Sequence, residues 1–571
     1  MSFEREGVWH DISSRELYAR VHHVAEQLTT WQIRKGDRVA LVAENRFEWA
    51  ITDWACLLLG VVDVPIYPTL TAEQTAFVLK NSGARAIFLS TRKQLDKVLS
   101  IKDETQLEHI VAMDDLDNPS VIRMSEIMRT EEPVARDPQF DAAAQAVVPD
   151  DLATIIYTSG TTGVPKGVML TQGNIASNLD QTGRSLGWQP GQVTLSFLPL
   201  SHVTARHVDY LCFLRGVTLA YCPSFDELGT KLQQIRPHLF VGVPRVYEKV
   251  RQEVDRRAGT GLKKPVYDWA LRVGQEHRDE VVQGKRPADW QWEVANRVIY
   301  KAIHQWFGGR VEMYVSGGAP LGIDLARWYA DVGIRILEGY GLTETSPVIA
   351  VNEPEANKLG TVGKPLSNVE CRIAEDGELL VRGPSIFKGY WHNPEETAKA
   401  FDGDWFKTGD IGNIDADGFL SITDRKKDLI KTSGGKFVAP QPIENKLKMS
   451  PLIAHPVVIG NQRKFISVVI CPNFPALEQW ASEQGIAATS REALIQDPRV
   501  IEAYEKVVAD ANLELARFET LKKVLLVPDD FTVDKGEVTP TLKLKRRVIE
   551  QKYKKQIDAM YEGAQVLHPA T

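Results

Sequence analysis

"IIYTSGTTGVPKGVML", from Ile155 to Leu170, decides the fold class. A strand-forming run (Ile155, Ile156, Tyr157) breaks into Thr158, Ser159, Gly160, Thr161, Thr162 and Gly163, and a second apolar run starts at Val168. A strand that opens straight into such a loop is the pattern of a layered α/β protein, whose ligands bind outside the carboxyl ends of strands. Successive glycines and hydroxyl residues can turn backbone N–H groups and hydroxyls into one anion-binding concavity. Lys166 adds a compact charge on a flexible stem. The Walker A loop requires GxxxxGK[ST]; GTTGVPKG fails on count, so a P-loop ATPase is excluded. The residues alone leave two readings open: a phosphate cradle, or an unliganded Gly/Thr-rich strand–turn–strand.

Similar strands recur on both sides of this loop. "VALVAE" at Val39, "AIFLS" at Ala86, "HIVAMD" at His109, "HLFVGVP" at His238, "VEMYVSGG" at Val311 and "IRILEGYG" at Ile334 alternate with helical periodicity, as over Ser14 to Trp31 and Ala72 to Asn81. That alternation predicts an α/β fold with largely parallel sheets. Glu253 to Trp306 is charged and helical, and reads as a surface insertion. From about 360 to 423 the texture changes to short strands with turn dipeptides ("EDGELLVRGP", "FDGDWFKTGD", "IDADGFLSITD"), which predicts a small β-barrel-like subdomain. Mixed α/β pattern then returns. The expected organisation is a large N-terminal domain of layered α/β subdomains, residues 1–424, and a smaller mobile α+β domain, residues 425–571.

At 571 residues the chain exceeds single-domain size. Its 68 basic and 75 acidic residues give a net charge of -7 and no general nucleic-acid footprint. Cys56, Cys212, Cys222, Cys371 and Cys471 are scattered and contain no CxxC pair, which argues for reduced thiols in a cytoplasm. The N-terminus lacks a basic then apolar leader, so no signal peptide is expected. The apolar run Ala55 to Val62, flanked by Asp53 and Asp63, is too short to span a membrane and reads as a buried helix leading into a strand. Peripheral contact with the inner membrane face and a homodimer stay open.

Four further motifs follow the opening loop in order: "EGYGLTETSPV" at Glu338, Thr408-Gly409-Asp410, "DRKKDLIKTSGGKFVAPQPIE" at Asp424, and "TLKLKRR" at Thr541. Together with the loop they are very similar to the signatures of the adenylate-forming superfamily, and the segments "FLPLSHV" and "FVGVPRVYEKV" resemble its long-chain fatty acyl-CoA synthetase branch. The family usually carries more residues before a segment like "GVWHDISSREL", so an opening helix is expected to be missing here.

The resemblance implies roles for individual residues. Tyr340, with Gly339 and the backbone near Gly317, Gly318 and Ala319, would pack on the adenine of ATP. Asp410 would take the ribose diol and Arg425 would hold the nucleotide as a bidentate donor. Glu344 would keep Mg²⁺ on the phosphates, and Thr343 would contact the α-phosphate or the carboxylate. Residues Thr158 to Gly163 and Lys166 would steady the β- and γ-phosphates. Lys543 would be the catalytic lysine of the adenylation step, with Lys545 as its rival if the register shifts by two. His202 matches a histidine near the acyl carboxylate. His207 and Asp209 lie close by, but H-x4-H with no further ligand makes a poor zinc site.

The implied chemistry has two steps. A fatty acid carboxylate attacks ATP to give acyl-AMP and pyrophosphate, and the acyl group then passes to CoA. Between the steps the C-terminal domain would rotate about Lys427 and bring Ser433, Gly434, Gly435 and Lys436 to the pantetheine thiol. Leu211, Phe213, Val241 and Val243 could line an acyl tunnel or belong to ordinary core. Two alternatives remain: an acyl-AMP ligase that hands its adenylate to a carrier protein, and an inactive nucleotide-binding relative.

Overall fold

The computed structural model describes residues 1–128, 136–158, 165–258, 261–532, 535–539 and 544–562. Two large sheets carry the first 400 residues or so. In one, the parallel strands Val62–Pro65, Arg38–Val42, Ala86–Leu89 and His109–Ala112 continue through Leu152–Thr158, and the antiparallel Lys166–Thr171 and Gly389–Tyr390 extend its edge. In the other, Thr218–Tyr221, Val193–Ser196, Leu239–Gly242, Met313–Ser316 and Ile336–Gly341 run parallel in that spatial order. Parallel strands covered on both faces need near-continuous apolar sequence, and Val39 to Val42 and Ala86 to Leu89 are fully buried.

Helix ends follow local chemistry. Ser14–Thr30 starts with a reciprocal capping box, in which Glu16 N–H donates to Ser13 Oγ and Ser13 N–H donates to the Glu16 carboxylate. Ala72–Ser82 repeats this device with Thr71 and Gln74 and stops at Gly83, whose φ is +65°.

Three regions differ in detail from the sequence expectation. The run Ala55 to Val62 is a buried helix, Phe47–Leu59, feeding the strand Val62–Pro65, as expected, but its flanking acids are not at the surface. Asp53 and Asp63 are buried and both face Arg206, at 2.7 and 2.9 Å. The charged stretch from Glu253 to Trp306 is docked, not merely superficial. Its helix Lys264–Glu276 packs so tightly on Ile323–Asp331 that a Cβ on Gly274 would lie 1.8 Å from the Asp331 carbonyl oxygen, and Arg278 pairs with Asp331 at 2.6 Å. The β-rich region from 360 to 423 contains the five-stranded antiparallel sheet built on Trp405–Ile414, but also the helix Pro394–Ala400. Its short strand Gly389–Tyr390 leaves that sheet to pair with Lys166–Thr171.

From Ile430 onward the chain builds cores of its own around the strands Ile453–Ile459, Ile466–Pro472 and Leu521–Leu526. Its helix Pro440–Leu447 meets the larger body where Asn445 lies against Gly322. Lys446 faces Asp324 at 3.7 Å, and Lys448 faces Glu248 at 3.8 Å. Ion pairs this long contribute little to stability. Among the described residues, no helix is long and apolar enough to cross a membrane.

Candidate active site

The second motif sits where the strand Ile336–Gly341 ends. Its last residue must be glycine: a Cβ on Gly341 would fall 1.8 Å from the Pro347 carbonyl oxygen, because the chain folds straight back on itself. The return is fixed by Leu342 N–H, which donates to Thr345 Oγ1 at 3.0 Å and to the Pro347 carbonyl at 3.1 Å. This tight turn presents Thr343 and Glu344 at the sheet's carboxyl edge. The neighbouring strand ends in Gly317 and Gly318; Gly318 has φ +79°, a left-handed conformation that glycine adopts without strain. A Cβ on Gly317 would lie 3.6 Å from the Gly339 carbonyl oxygen. Gly317, Gly318, Gly339 and Tyr340 thus share one wall.

Tyr340 donates its hydroxyl to Asp410 Oδ2 at 2.6 Å, across 70 residues of sequence. Burial, then the Asp410 charge, pushes the Tyr340 phenol far above its ordinary range. Asp410 is directly opposite Arg425 in the ladder between Trp405–Ile414 and Leu420–Arg425, and Arg425 Nε lies 3.4 Å from Asp410 Oδ1. The third and fourth motifs are therefore two sides of one β-ladder rung. Between Thr408 and Asp410, Gly409 takes φ +72° and its N–H donates to Glu378 Oε1 at 2.9 Å. Burial lowers the Lys427 ammonium, and the Arg425 charge adds to that.

Glu344 and Lys166 meet through a residue the motifs do not contain. Tyr390 donates to Glu344 Oε1 at 3.0 Å, while Lys166 Nζ stands 5.2 Å from the Tyr390 ring centroid. Lys166 is also ion-paired with Glu396, whose carboxyl is held well below its ordinary range by Lys166 and then Lys399. Burial raises the Glu344 carboxyl, opposed by the Tyr390 hydrogen bond and the Arg425 charge. The ladder under the first motif closes at the pair Thr158 and Lys166. Ser159, Gly160, Thr161, Thr162 and Gly163 lie outside the described residues, as does Lys543.

A cleft with roughly 610 Å³ of space not filled by atoms, part of it open to solvent, begins at the Gly317–Gly318 and Gly339–Tyr340 wall. It continues between Trp188, Val208, Leu211 and Val241. Of the four candidate tunnel residues, Leu211 and Val241 line it and Val243 lies beside Gly318. Phe213 instead packs edge-on against Trp54 with centroids 5.1 Å apart. Thr182, Ser316 and His207 also line the cleft, and each has a buried polar side-chain atom without a hydrogen-bond partner. Burial holds the His207 imidazole neutral, down to about 4.

His202 caps the helix Val203–Arg215, its Nδ1 accepting from Thr204 N–H at 3.1 Å. Asp209 does not join the two histidines; it accepts from Ser196 and Tyr221, each at 3.0 Å, and burial pushes it up to about 7. One turn earlier Arg206 donates to Thr154 Oγ1 at 2.8 Å, tying this helix to the strand that leads into the first motif. The loop of Gly434, Gly435 and Lys436 is solvent-exposed; its described hydrogen bonds run to Thr432, and the adjacent Ser433 N–H donates to Arg463. In the last motif, Arg546 is buried against Glu444 at 2.6 Å, and Lys545 N–H donates to the Glu537 carbonyl at 2.7 Å.

Comparison with known proteins gives this geometry a family. The profile described as AMP-binding enzyme matches residues 3–391, and that described as AMP-binding enzyme C-terminal domain matches residues 427–565. The chain belongs to the AMP-binding enzyme family. This AMP-binding enzyme is 37% identical over 568 residues to the long-chain-fatty-acid–CoA ligase FadD15 of Mycobacterium bovis, covering 97% of this chain and 93% of that one. It is 30% identical to the long-chain-fatty-acid–CoA ligase ACSBG2 of Xenopus laevis, covering 97% of this chain and 80% of the relative. The fold matches the crystal structure of ATP-bound MatB from Rhodopseudomonas palustris with a TM-score of 0.70 at 24% identity, over 97% of this chain and 96% of that one. The α/β architecture with a separate C-terminal unit is that of the adenylate-forming enzymes.

Sequence reasoning missed Tyr390, Glu396 and Arg206. "KGYWHNPEE" around Tyr390 has no periodic or spacing signal, since its role depends on a two-residue strand crossing from one sheet to another.

Proposed function

We propose that this enzyme activates a long-chain fatty acid with ATP to acyl-AMP, releasing pyrophosphate, and then transfers the acyl group to the thiol of CoA, releasing AMP. The observation that carries the reading is the cleft that joins the Gly318 and Tyr340 wall, where a nucleotide base would stack, to an apolar channel past Val208 and Leu211. A carboxylate at that junction would face the α-phosphate of a nucleotide held by Asp410. Kinship with two curated long-chain-fatty-acid–CoA ligases supports the same substrate class.

In this reading Tyr340, Gly339, Gly318 and Ala319 hold adenine, Asp410 accepts from the ribose hydroxyls, and Arg425 steadies both. Lys166 leaves Glu396 to meet the outgoing phosphates, together with Thr158 and the loop Ser159 to Gly163. Thr343 and His202 flank the reacting carboxylate. Approach of one anion to another is favoured mainly by positioning and charge neutralisation. Glu344 fits Mg²⁺: it is a buried carboxylate whose Oε1 is fixed by the Tyr390 hydroxyl, and Mg²⁺ is ordinarily held by one or two carboxylates plus substrate phosphates. The ion would neutralise phosphate charge. Lys543 would add its charge in the first step. Residues 425–571 would then turn about Lys427 so that Gly434, Gly435 and Lys436 approach the thiol. All five cysteines are free thiols, which fits a cytoplasmic location.

The test is pyrophosphate release across a carboxylate series from acetate to oleate, with and without CoA. Oleate should drive release, and a thioester should form only with CoA. Preference for acetate, or acyl transfer only to a phosphopantetheinylated carrier protein, would overturn the assignment.

A further inference from the structure

The short segment 387–397 reaches both charged side chains that the first two motifs bring together, Lys166 and Glu344. Its strand Gly389–Tyr390 lies against Lys166–Thr171, with Lys388 N–H donating to the Met169 carbonyl at 3.0 Å and Trp391 N–H to the Gly167 carbonyl at 2.7 Å. Gly389 lets the following helix seat closely, since a Cβ there would lie 2.8 Å from Thr397 Cγ2. Tyr390 N–H donates to Thr397 Oγ1 at 2.9 Å, and the Tyr390 ring packs edge-on against Phe387 with centroids 4.9 Å apart. The phenol is thus oriented before any ligand arrives. Two groups of the segment hold Glu344: Phe387 N–H donates to its carbonyl at 2.8 Å, and the Tyr390 hydroxyl to its Oε1 at 3.0 Å. Other polar ties of the segment serve the architecture. Trp391 Nε1 donates to the Asn81 carbonyl at 3.0 Å, and Asn393 caps the helix Pro394–Ala400. Tyr390 differs in touching two charged motif residues at once, since Lys166 Nζ stands 5.2 Å from its ring centroid.

We propose that Tyr390 is a positioning residue for the metal–nucleotide complex. Its hydroxyl fixes the Glu344 carboxylate for a divalent cation, and its ring carries the Lys166 ammonium between Glu396 and the phosphates. This rests on the reading of the site as one that binds ATP with Mg²⁺. Mg²⁺ demands near-ideal octahedral geometry, whereas a glutamate side chain must give up rotamer freedom to meet it. A hydroxyl already seated on one carboxylate oxygen removes part of that cost. The ring acts separately. Attraction of a cation to a ring face has no single bonding direction, so Lys166 can pass from one anion to another while staying over Tyr390. Loss of the hydroxyl and loss of the ring therefore have different consequences.

Isothermal titration calorimetry of the full chain with ATP, in the absence of any carboxylic acid, separates them. One series contains Mn²⁺ and the other EDTA. Wild type should bind ATP more tightly with Mn²⁺. Tyr390→Phe should lose about 10- to 100-fold in affinity with Mn²⁺, the usual effect of removing a group that holds a metal ligand in place. In EDTA it should match wild type, which also shows that it folds. Tyr390→Leu should be weaker than Tyr390→Phe in EDTA, because Lys166 loses its ring. In pyrophosphate release with oleate, Tyr390→Phe should need about 10-fold more Mg²⁺ for the half-maximal rate and approach the wild-type rate at saturation, a rescue that a purely structural defect would not show. Equal loss by Tyr390→Phe with and without metal, an unchanged Mg²⁺ requirement, or identical behaviour of the two variants in EDTA would overturn the proposal. Wild type that binds no ATP in either series would overturn the nucleotide reading itself, and this proposal with it.

Discussion

Replacing Asp410 by alanine tests the nucleotide geometry most directly. The carboxylate is oriented on both oxygens, by the Tyr340 hydroxyl at 2.6 Å and by Arg425 at 3.4 Å, so its direction is set before a ligand arrives. If it accepts from a ribose hydroxyl, each such charge-assisted bond contributes about 1.5–3 kcal/mol. At about 1.36 kcal/mol per decade, loss of one bond lowers kcat/KM for the nucleotide roughly 10- to 150-fold. The assay is pyrophosphate release with ATP and with 2′-deoxy-ATP, in wild type and in Asp410→Ala. Wild type should prefer ATP by that factor; the variant should be slower with ATP and nearly indifferent between the two nucleotides. Tyr340→Phe should show an intermediate preference, because the carboxylate stays but loses the hydroxyl that orients its Oδ2. A full ATP preference retained in Asp410→Ala would refute the argument, since the 2′-hydroxyl would then be read by some other group.

Two further outcomes follow from the described contacts and the motif order. Arg206→Met leaves Asp53 and Asp63 buried without their cation and should destabilise the larger body by about 3–5 kcal/mol. Burial already raises the Asp53 carboxyl, with Arg206 opposing it; with Arg206 gone, its folded value rises further above the unfolded one. The unfolded chain then ionises first as pH rises, so the loss should be greater at pH 8 than at pH 5 in urea titrations followed by tryptophan fluorescence, and a pH-independent loss would count against it. Lys543→Ala should cripple adenylate formation yet spare thioester formation from supplied acyl-adenylate, with Lys545→Ala near wild type in both; equal loss of both half-reactions in Lys543→Ala, or the reverse pattern between the two lysines, would move the role elsewhere.

What could be read from sequence was what the backbone dictates locally. Gly341 and Gly409 were legible because one is forced by a close backbone return and the other by a positive φ, and each lies inside a short fixed spelling. Strands such as Ala86–Leu89 announced themselves because parallel strands covered on both faces need unbroken apolar runs. The Arg206 cluster stayed hidden: its partners Asp53 and Asp63 are about 150 residues away, and acids beside an apolar run look like solvent-facing punctuation until a cation is folded onto them. Tyr390 was invisible for a related reason, since only the crossing of a two-residue strand places its hydroxyl on Glu344 and its ring beneath Lys166. Of the tunnel candidates, Phe213 resembled Leu211 in character; helix rotation alone turned one toward Trp54 and the other into the cleft.

The rung joining Asp410 to Arg425 has a kinematic consequence. Only Lys426 separates that rung from Lys427, so a pivot at Lys427 would put the axis of rotation almost against the nucleotide. Points near an axis sweep short arcs, and points far from it sweep long ones. The ribose contact would hardly shift during a large turn, while the parts of the C-terminal unit far from the axis would be carried through long arcs over the same bound adenylate. A ligand held at the hub can stay put while the machinery around it is replaced.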